Sequence, residues 1–175
     1  MKTLFLARHA KFDQDDESLP ERERPLTARG LAEAQGMAER LARRGLQPDA
    51  VLSSPAVHAR ATAEVFAKRF GLGAQAVQVD ERLHDASPEA LLALIHGLPG
   101  SLQAVMLVGH NPGVARLAGQ LSGGEVSGMP LCATAELRFD TTHWPQLGEQ
   151  PAAQVRFDDR KKPRPAPSAD EAEGR

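Results

Sequence analysis

Cysteine, excess basic charge and long apolar runs are all scarce in this sequence, and each shortage excludes a class of protein. Cys132 is the single cysteine among 175 residues, which excludes an intramolecular disulfide and favours a reducing cytosol. Lysine and arginine total 21 against 23 acidic residues, so the chain lacks the basic excess of nucleic-acid and membrane-surface binders. The apolar run LFLA stops at Arg8, short of a signal peptide or a bilayer span. We therefore expect a cytoplasmic protein without a nucleic-acid or membrane partner.

The sequence does contain a regular alternation of apolar strands and amphipathic helices. Strands are predicted at 2–7, 49–55, 74–79, 104–109, 132–139 and 153–159, and helices at 26–45, 56–71, 87–99 and 112–124. Thr27 and Ser87 are suitable N-caps, and Gly45 is a suitable C-cap. This alternation predicts a single α/β domain over 1–160, a three-layer α/β/α fold with a mostly parallel central sheet. Residues 161–175 are rich in proline and charge and are expected to form a disordered tail.

Cationic side chains and histidines follow three of the predicted strands. Arg8 and His9 come directly after the first strand, Arg60 follows the second by a few residues, and His110 follows the apolar run AVMLVG. Parallel strands bring their carboxyl ends to one edge of a sheet, where ligands bind in open α/β folds. Arginine offers a planar fork that fits phosphate oxygens, and the helix after Pro112 would add its amide dipoles. The pattern predicts an anion site at this edge.

Other kinds of site fit less well. The chain has no HExxH or CxxC metal motif, no GxSxG serine elbow, and no GxxxxGK[ST] or GxGxxG phosphate loop. Two nearby arginines would repel a divalent cation, so metal ligation by His9 and His110 is disfavoured. Cys132 lacks the Cys-x5-Arg pattern of a thiolate nucleophile. Histidine itself remains as the nucleophile.

Four blocks of sequence resemble the histidine phosphatase superfamily, the phosphoglycerate mutase-like enzymes. The blocks are LARHAK (6–11), PLTARG (25–30), SSPAVHARATAE (53–64) and LVGHNPG (107–113). The RHAK form, the stretch ERLHDASPEALL (81–92) and the short length are similar to the bacterial SixA-type phosphohistidine phosphatases.

The resemblance implies a phosphatase that needs neither metal nor cofactor. His9 would attack phosphorus and carry the phosphoryl group, so its attacking nitrogen must be neutral while the other donates to an acceptor. Arg8 and the arginine of the SSPxxRAxxT block, taken as Arg60, would bind phosphate oxygens. His110 would support the charged transition state. The substrate class implied is a phosphohistidine side chain on a protein.

Some residues carry open alternatives. Ala10 stands where the family has glycine. Asp85 stands where larger members of the family have a glutamate proton donor, so Asp85 is either a general acid or a loop carboxylate. Asn111 either binds phosphate or caps the next helix, and Lys11 is either a rim cation or plain surface. His58 could line the mouth of the pocket, but no function is expected of it.

Two alternative functions remain open. One is a phosphatase of a small phosphorylated metabolite. The other is a non-catalytic phosphate-binding module of the same fold, which the combination of Arg8, His9, Arg60 and His110 disfavours.

Overall fold

Strands and helices alternate along residues 1–160, the part of the chain that the computed structural model describes. The elements are β1 (Lys2–Arg8), α1 (Ala28–Arg43), β2 (Ala50–Ser53), α2 (Val57–Arg69), β3 (Val77–Val79), α3 (Pro88–His96), β4 (Ala104–Gly109), α4 (Gly113–Leu121), β5 (Thr134–Phe139) and β6 (Gln154–Asp158). Short 3-10 turns lie between some of them, and one, at Ala74–Ala76, replaces the first half of the strand predicted at 74–79. The predicted tail at 161–175 lies outside the described residues.

The strands form one sheet in the order β3-β2-β4-β1-β5-β6. The four strands from β3 to β1 are mutually parallel, whereas β5 runs antiparallel to both of its neighbours. Side chains of β1 alternate between two cores: Leu4 and Leu6 join the one that contains α3 and α4, and Phe5 and Ala7 join the one that contains α1 and α2. The predicted three-layer α/β/α fold with a mostly parallel sheet is confirmed.

The helix boundaries follow the predicted caps. The Thr27 hydroxyl accepts a hydrogen bond from the amide of Gly30 at 2.9 Å, and the Ser87 hydroxyl accepts one from the amide of Ala90 at 3.1 Å. Gly45 follows the end of α1 with φ of 77°, a left-handed conformation that favours glycine. None of the described helices is long and apolar enough to cross a membrane.

Gly30 allows α1 to lie directly against the segment that follows β1. A Cβ atom at position 30 would lie 2.0 Å from the carbonyl oxygen of Lys11, two residues beyond His9. Gly113, at the start of α4, is equally close to the carbonyl oxygen of Ala86, at 2.0 Å. The glycine of the PLTARG block therefore has a packing role, because no side chain fits between the helix and the chain that carries His9.

We expect Gly30→Ala to destabilise the protein and Gly36→Ala to leave it equally stable or stabilise it. The first substitution forces backbone apart, at a cost of about 1–3 kcal/mol. Gly36 lies in the same helix with nothing within 4 Å of its Cβ position, so alanine there gains up to about 1 kcal/mol of helix propensity. Urea unfolding of both variants measures the difference. Equal free energies of unfolding would contradict the packing role of Gly30.

Candidate active site

Three strand ends meet at one edge of the sheet. The amide of His9 donates to the Gly109 carbonyl at 3.2 Å, and the amide of Ser54 donates to the Val108 carbonyl at 3.1 Å, so the backbone ladder continues past the strands. His110 follows β4 directly, and its ring centroid lies 5.0 Å from that of His9. The predicted convergence of His9 and His110 is therefore present in the structure.

His9 is held as a neutral imidazole. Its ring is buried, and Nδ1 lies 2.9 Å from the Ala10 carbonyl oxygen, which can only accept a hydrogen bond. Nδ1 therefore carries the proton and Nε2 carries the lone pair. The pKa of His9 is lowered to about 3, mainly by burial and to a smaller extent by the neighbouring His58, His110 and Arg8, whereas the hydrogen bond to Ala10 acts in the opposite direction. At neutral pH the side chain is therefore uncharged.

His110 is oriented by Ser54. The Ser54 hydroxyl lies 2.7 Å from Nε2 of His110 and also accepts the amide proton of Ala56 at 3.2 Å, at the turn into α2. Burial is the main reason that the pKa of His110 is lowered to about 4, and the nearby His58 contributes. The Asp85 carboxylate acts in the opposite direction. The sequence analysis did not predict the contact between Ser54 and His110.

The structure does not bring Arg60 into the site, so that prediction is wrong. Its side chain is 59% exposed and pairs with Glu64 one turn further along α2, with the Nε and Oε1 atoms 3.1 Å apart. His58, two residues earlier and about 200° away around the helix, points into the site instead. Counting from Pro55 gives the reason: the arginine of the SSPxxRAxxT pattern falls at position 58, where this chain has histidine.

His58 is buried against the other two histidines. Its ring centroid lies 4.5 Å from that of His9 and 5.6 Å from that of His110, and Phe12 stacks on its other side at 4.0 Å. Nδ1 donates to the Arg24 carbonyl at 3.1 Å, whereas Nε2 is buried without a hydrogen-bond partner among the described residues. Burial lowers the pKa of His58. A ligand could therefore use Nε2.

Arg8 and Asn111 both reach the carbonyl oxygen of Met129. Nη1 of Arg8 donates to it at 3.2 Å and Nδ2 of Asn111 at 2.9 Å. The capping interpretation of Asn111 is wrong, because Pro112 occupies the N-cap position of α4 and no side chain caps that helix. Nε of Arg8 and Oδ1 of Asn111 are buried and unpartnered within the described residues. Lys11 is half-buried and makes no side-chain hydrogen bond to a described residue.

A cavity of about 240 Å³ opens above the histidines. Its walls include Glu21, Arg22, His58, His84, Asp85 and His110. Asp85 is at the rim, with φ of 47° and an Oδ2 atom 3.4 Å from Nε2 of His84. The His84 ring lies 5.3 Å from that of His110. Sequence reasoning placed Asp85 here but missed His84 and the wall formed by Glu21 and Arg22.

The comparisons with known proteins agree with this geometry. The model of the histidine phosphatase superfamily (branch 1) matches residues 4–94. An uncharacterized protein of Mycobacterium tuberculosis is 32% identical over 162 residues, which cover 86% of this chain and 97% of that protein.

Solved structures show the same relationship. A protein assigned as phosphohistidine phosphatase SixA from Agrobacterium tumefaciens superposes with a TM-score of 0.72 and 30% identity, covering 79% of this chain and 92% of that one. The protein histidine phosphatase SixA in complex with tungstate has the same fold, with a TM-score of 0.71 at 23% identity, covering 89% of this chain and 94% of that one.

This chain belongs to the histidine phosphatase superfamily. Its sequence blocks and its likeness to SixA structures place it in the SixA-type branch. Membership supports a phosphatase activity on a phosphorylated protein or small molecule.

The buried histidines should make the fold sensitive to mild acid. The folded-state pKa of His9 is about 3 and that of His110 about 4, both below the unfolded value of about 6.5. The unfolded chain therefore takes up protons first as the pH falls. The free energy of unfolding should drop by about 1.4 kcal/mol per pH unit for each histidine between pH 6.5 and 4, and should be unaffected above that window.

Urea unfolding at pH 7, 6 and 5 measures this slope. We expect His9→Asn to reduce it, because the variant has one buried imidazole fewer to protonate on unfolding. The variant Gln120→Ala, on the exposed face of α4, should keep the slope of the unmodified protein. A slope that is the same in His9→Asn would argue against the neutral state assigned to His9.

Proposed function

We propose that this chain is a phosphohistidine phosphatase that works through a phosphoryl group carried on His9. The observation that carries the proposal is the state of His9 itself. The ring is buried, Nδ1 is committed to the Ala10 carbonyl, and Nε2 is left with its lone pair beside His58 and His110. A neutral, fixed imidazole is the form in which histidine acts as a nucleophile.

The reaction takes two steps. In the first, Nε2 of His9 attacks phosphorus in line, and the phosphorus–nitrogen bond to the substrate imidazole breaks. The leaving imidazole takes a proton from solvent, and the phosphoryl group is now bonded to Nε2 of His9, which keeps its proton on Nδ1. In the second step water attacks that phosphorus and the bond to Nε2 breaks, which releases inorganic phosphate and one proton and returns His9 to its neutral state. Both steps depend mainly on positioning and on charge stabilisation.

Arg8, His58 and His110 are the groups that would stabilise the phosphoryl oxygens. Nε of Arg8 is buried with no partner among the described residues, so it can donate to an oxygen without breaking an existing bond. Nε2 of His58 is also buried and unpartnered among those residues, but it can donate only after the ring takes up a proton, because Nδ1 holds the proton of the neutral ring. A dianionic phosphoryl group beside His58 and His110 raises the pKa of both, because it favours the imidazolium form. Each imidazole can then take a proton and donate it to an oxygen. Asn111 and Lys11 are further candidates for binding phosphate.

The size of the cavity favours a side chain on a protein over a metabolite. Pockets that enclose whole small molecules usually measure about 300–1,000 Å³, and this one measures about 240 Å³. That space suits an imidazole and its phosphoryl group projecting from a larger surface. The similarity to the Agrobacterium protein assigned as a phosphohistidine phosphatase supports the same substrate class.

A phosphoenzyme trap tests the mechanism. We expect labelled phosphoramidate to leave an acid-labile, alkali-stable label on the unmodified protein and none on His9→Asn, since the acceptor nitrogen is lost. Arg60→Ala should be labelled normally, because Arg60 faces away from the site. Mass spectrometry of the quenched protein locates the label. A label that persists in His9→Asn would overturn the mechanism.

Asp85 would matter only when the leaving group needs a proton. A phosphorylated imidazole leaves easily once protonated, whereas an alkyl alcohol is a poor leaving group, and general acids contribute about 10²–10⁴-fold. We expect Asp85→Asn to lower kcat about 100-fold for an alkyl phosphate and less than about threefold for a phosphohistidine peptide. Glu21→Gln, another exposed carboxylate at the cavity, is the matched control. Equal losses on both substrates would exclude Asp85 as the acid.

A further inference from the structure

Four of the six histidines of this chain lie together, and three of them, His58, His84 and His110, line one cavity. His9, His58 and His110 are mutual ring neighbours, and His84 lies against His110. Ring nitrogens of the first three all lie within 4.8 Å of one another. In a tetrahedral zinc site with bonds of about 2.0–2.1 Å, the ligand nitrogens are roughly 3.4 Å apart. Side-chain adjustments of about 1 Å or less would bring the three imidazoles to that spacing.

We propose that His9, His58 and His110 form a binding site for a divalent transition-metal ion of the Zn²⁺ class. The imidazole nitrogens suit such an ion, and the site would leave a fourth position for water or for a side chain at the cavity. The same nitrogen of His9 is the proposed nucleophile, so the bound ion would block phosphoryl transfer.

The hydrogen bonds behind two of the rings favour metal binding. Nδ1 of His9 donates to the Ala10 carbonyl, and Nδ1 of His58 donates to the Arg24 carbonyl. In each ring this leaves the Nε2 lone pair for a ligand, the arrangement by which a backbone carbonyl orients a metal-binding histidine. Nε2 of His58 is the strongest indication, because it belongs to a side chain with 1% exposure and has no partner among the described residues.

His110 can complete the set. If its Nε2 donates to the Ser54 hydroxyl, its Nδ1 carries a lone pair, and the serine can accept that proton while still accepting the amide of Ala56.

The charges around the cavity allow a cation. The replacement of arginine by histidine at position 58 removes the fixed positive charge that the SSPxxRAxxT pattern would supply. Arg8 stays beside the ring of His9 with its Nη1 held by the Met129 carbonyl, and Arg22 at the cavity wall is paired with Glu81. Glu21 and Asp85 at the cavity supply negative charge. Nδ1 of His84 is buried and unpartnered among the described residues, which makes His84 a candidate fourth ligand.

Zn²⁺ titration of the full chain tests this site. We expect one tightly bound ion per chain, measured by competition with a chromophoric chelator. His58→Arg should weaken the binding by more than about 100-fold, because even the loss of an outer-shell partner costs about 10–100-fold. The same variant should still bind tungstate, which shows that the fold and the anion site survive. His143→Gln, at an exposed turn, should bind Zn²⁺ as the unmodified protein does.

Two results would overturn the proposal: no stoichiometric binding to the unmodified protein, or equal binding by His58→Arg. The blocking effect rests on the proposed function and is read separately. One equivalent of Zn²⁺ should abolish phosphoryl labelling of His9, and a chelator should restore it. If His9 is not labelled even without metal, the proposed function is wrong. The Zn²⁺ titration still shows in that case whether the metal site exists. Labelling that continues with Zn²⁺ bound would contradict ligation by His9.

Discussion

The parallel pairing of β4 with β1 on one side and β2 on the other is the constraint on which the site depends. It places Arg8 opposite Gly109 and Ser53 opposite Val108, so the residues that follow each strand emerge at the same height. Because side chains alternate along a strand, a slip of one residue would move an entire set to the other face. The two buried cores, which take alternate residues of β1, fix the register and thereby the site.

Hydrogen bonds to the backbone fix the positions of the histidine rings relative to the sheet. Thr62 is the central example: its hydroxyl accepts the amide of Ala10 at 3.1 Å and donates to the carbonyl of His58 at 2.8 Å. One threonine therefore ties the residue after His9 to the helix that carries His58. Each ring also has its own anchor, a carbonyl for His9 and His58 and a hydroxyl for His110. Such supports determine how well a site is organised before substrate arrives.

The sequence predicts those parts of the site that follow directly from strands. β1 and β4 are recognisable in the sequence as apolar runs, and His9 and His110 come immediately after them. Because the two strands are parallel neighbours, the convergence of the two histidines follows from the topology. The position of His58 depends instead on which face of the helix α2 is buried. Ala59, Thr62 and Ala63 mark the buried face of α2, and this face includes position 58 but excludes 60. The motif calls for an arginine in this helix, and Arg60 is the arginine nearest to the expected position. The helix directs its side chain toward solvent.

Other features had no signal in the sequence. The cavity wall at Glu21 and Arg22 belongs to a charged stretch without periodicity, so only the folded chain shows that it lies beside His84 and Asp85. The contact of Arg8 and Asn111 with Met129 is similar, because it joins residues 121 and 18 positions apart. Long-range contacts of this kind depend on how the loops pack against the sheet. Local sequence patterns do not encode that packing.

The histidine at position 58 changes what the site can do chemically. A guanidinium is always charged and only donates hydrogen bonds, so an arginine there would serve phosphate alone. An imidazole can be either a cationic donor or a neutral ligand, and burial at position 58 favours the neutral form. Near neutral pH this chain therefore has to gain a proton to make the contact that an arginine makes permanently. The same substitution places ring nitrogens of three histidines within 4.8 Å of one another, where an arginine would have placed a fixed positive charge.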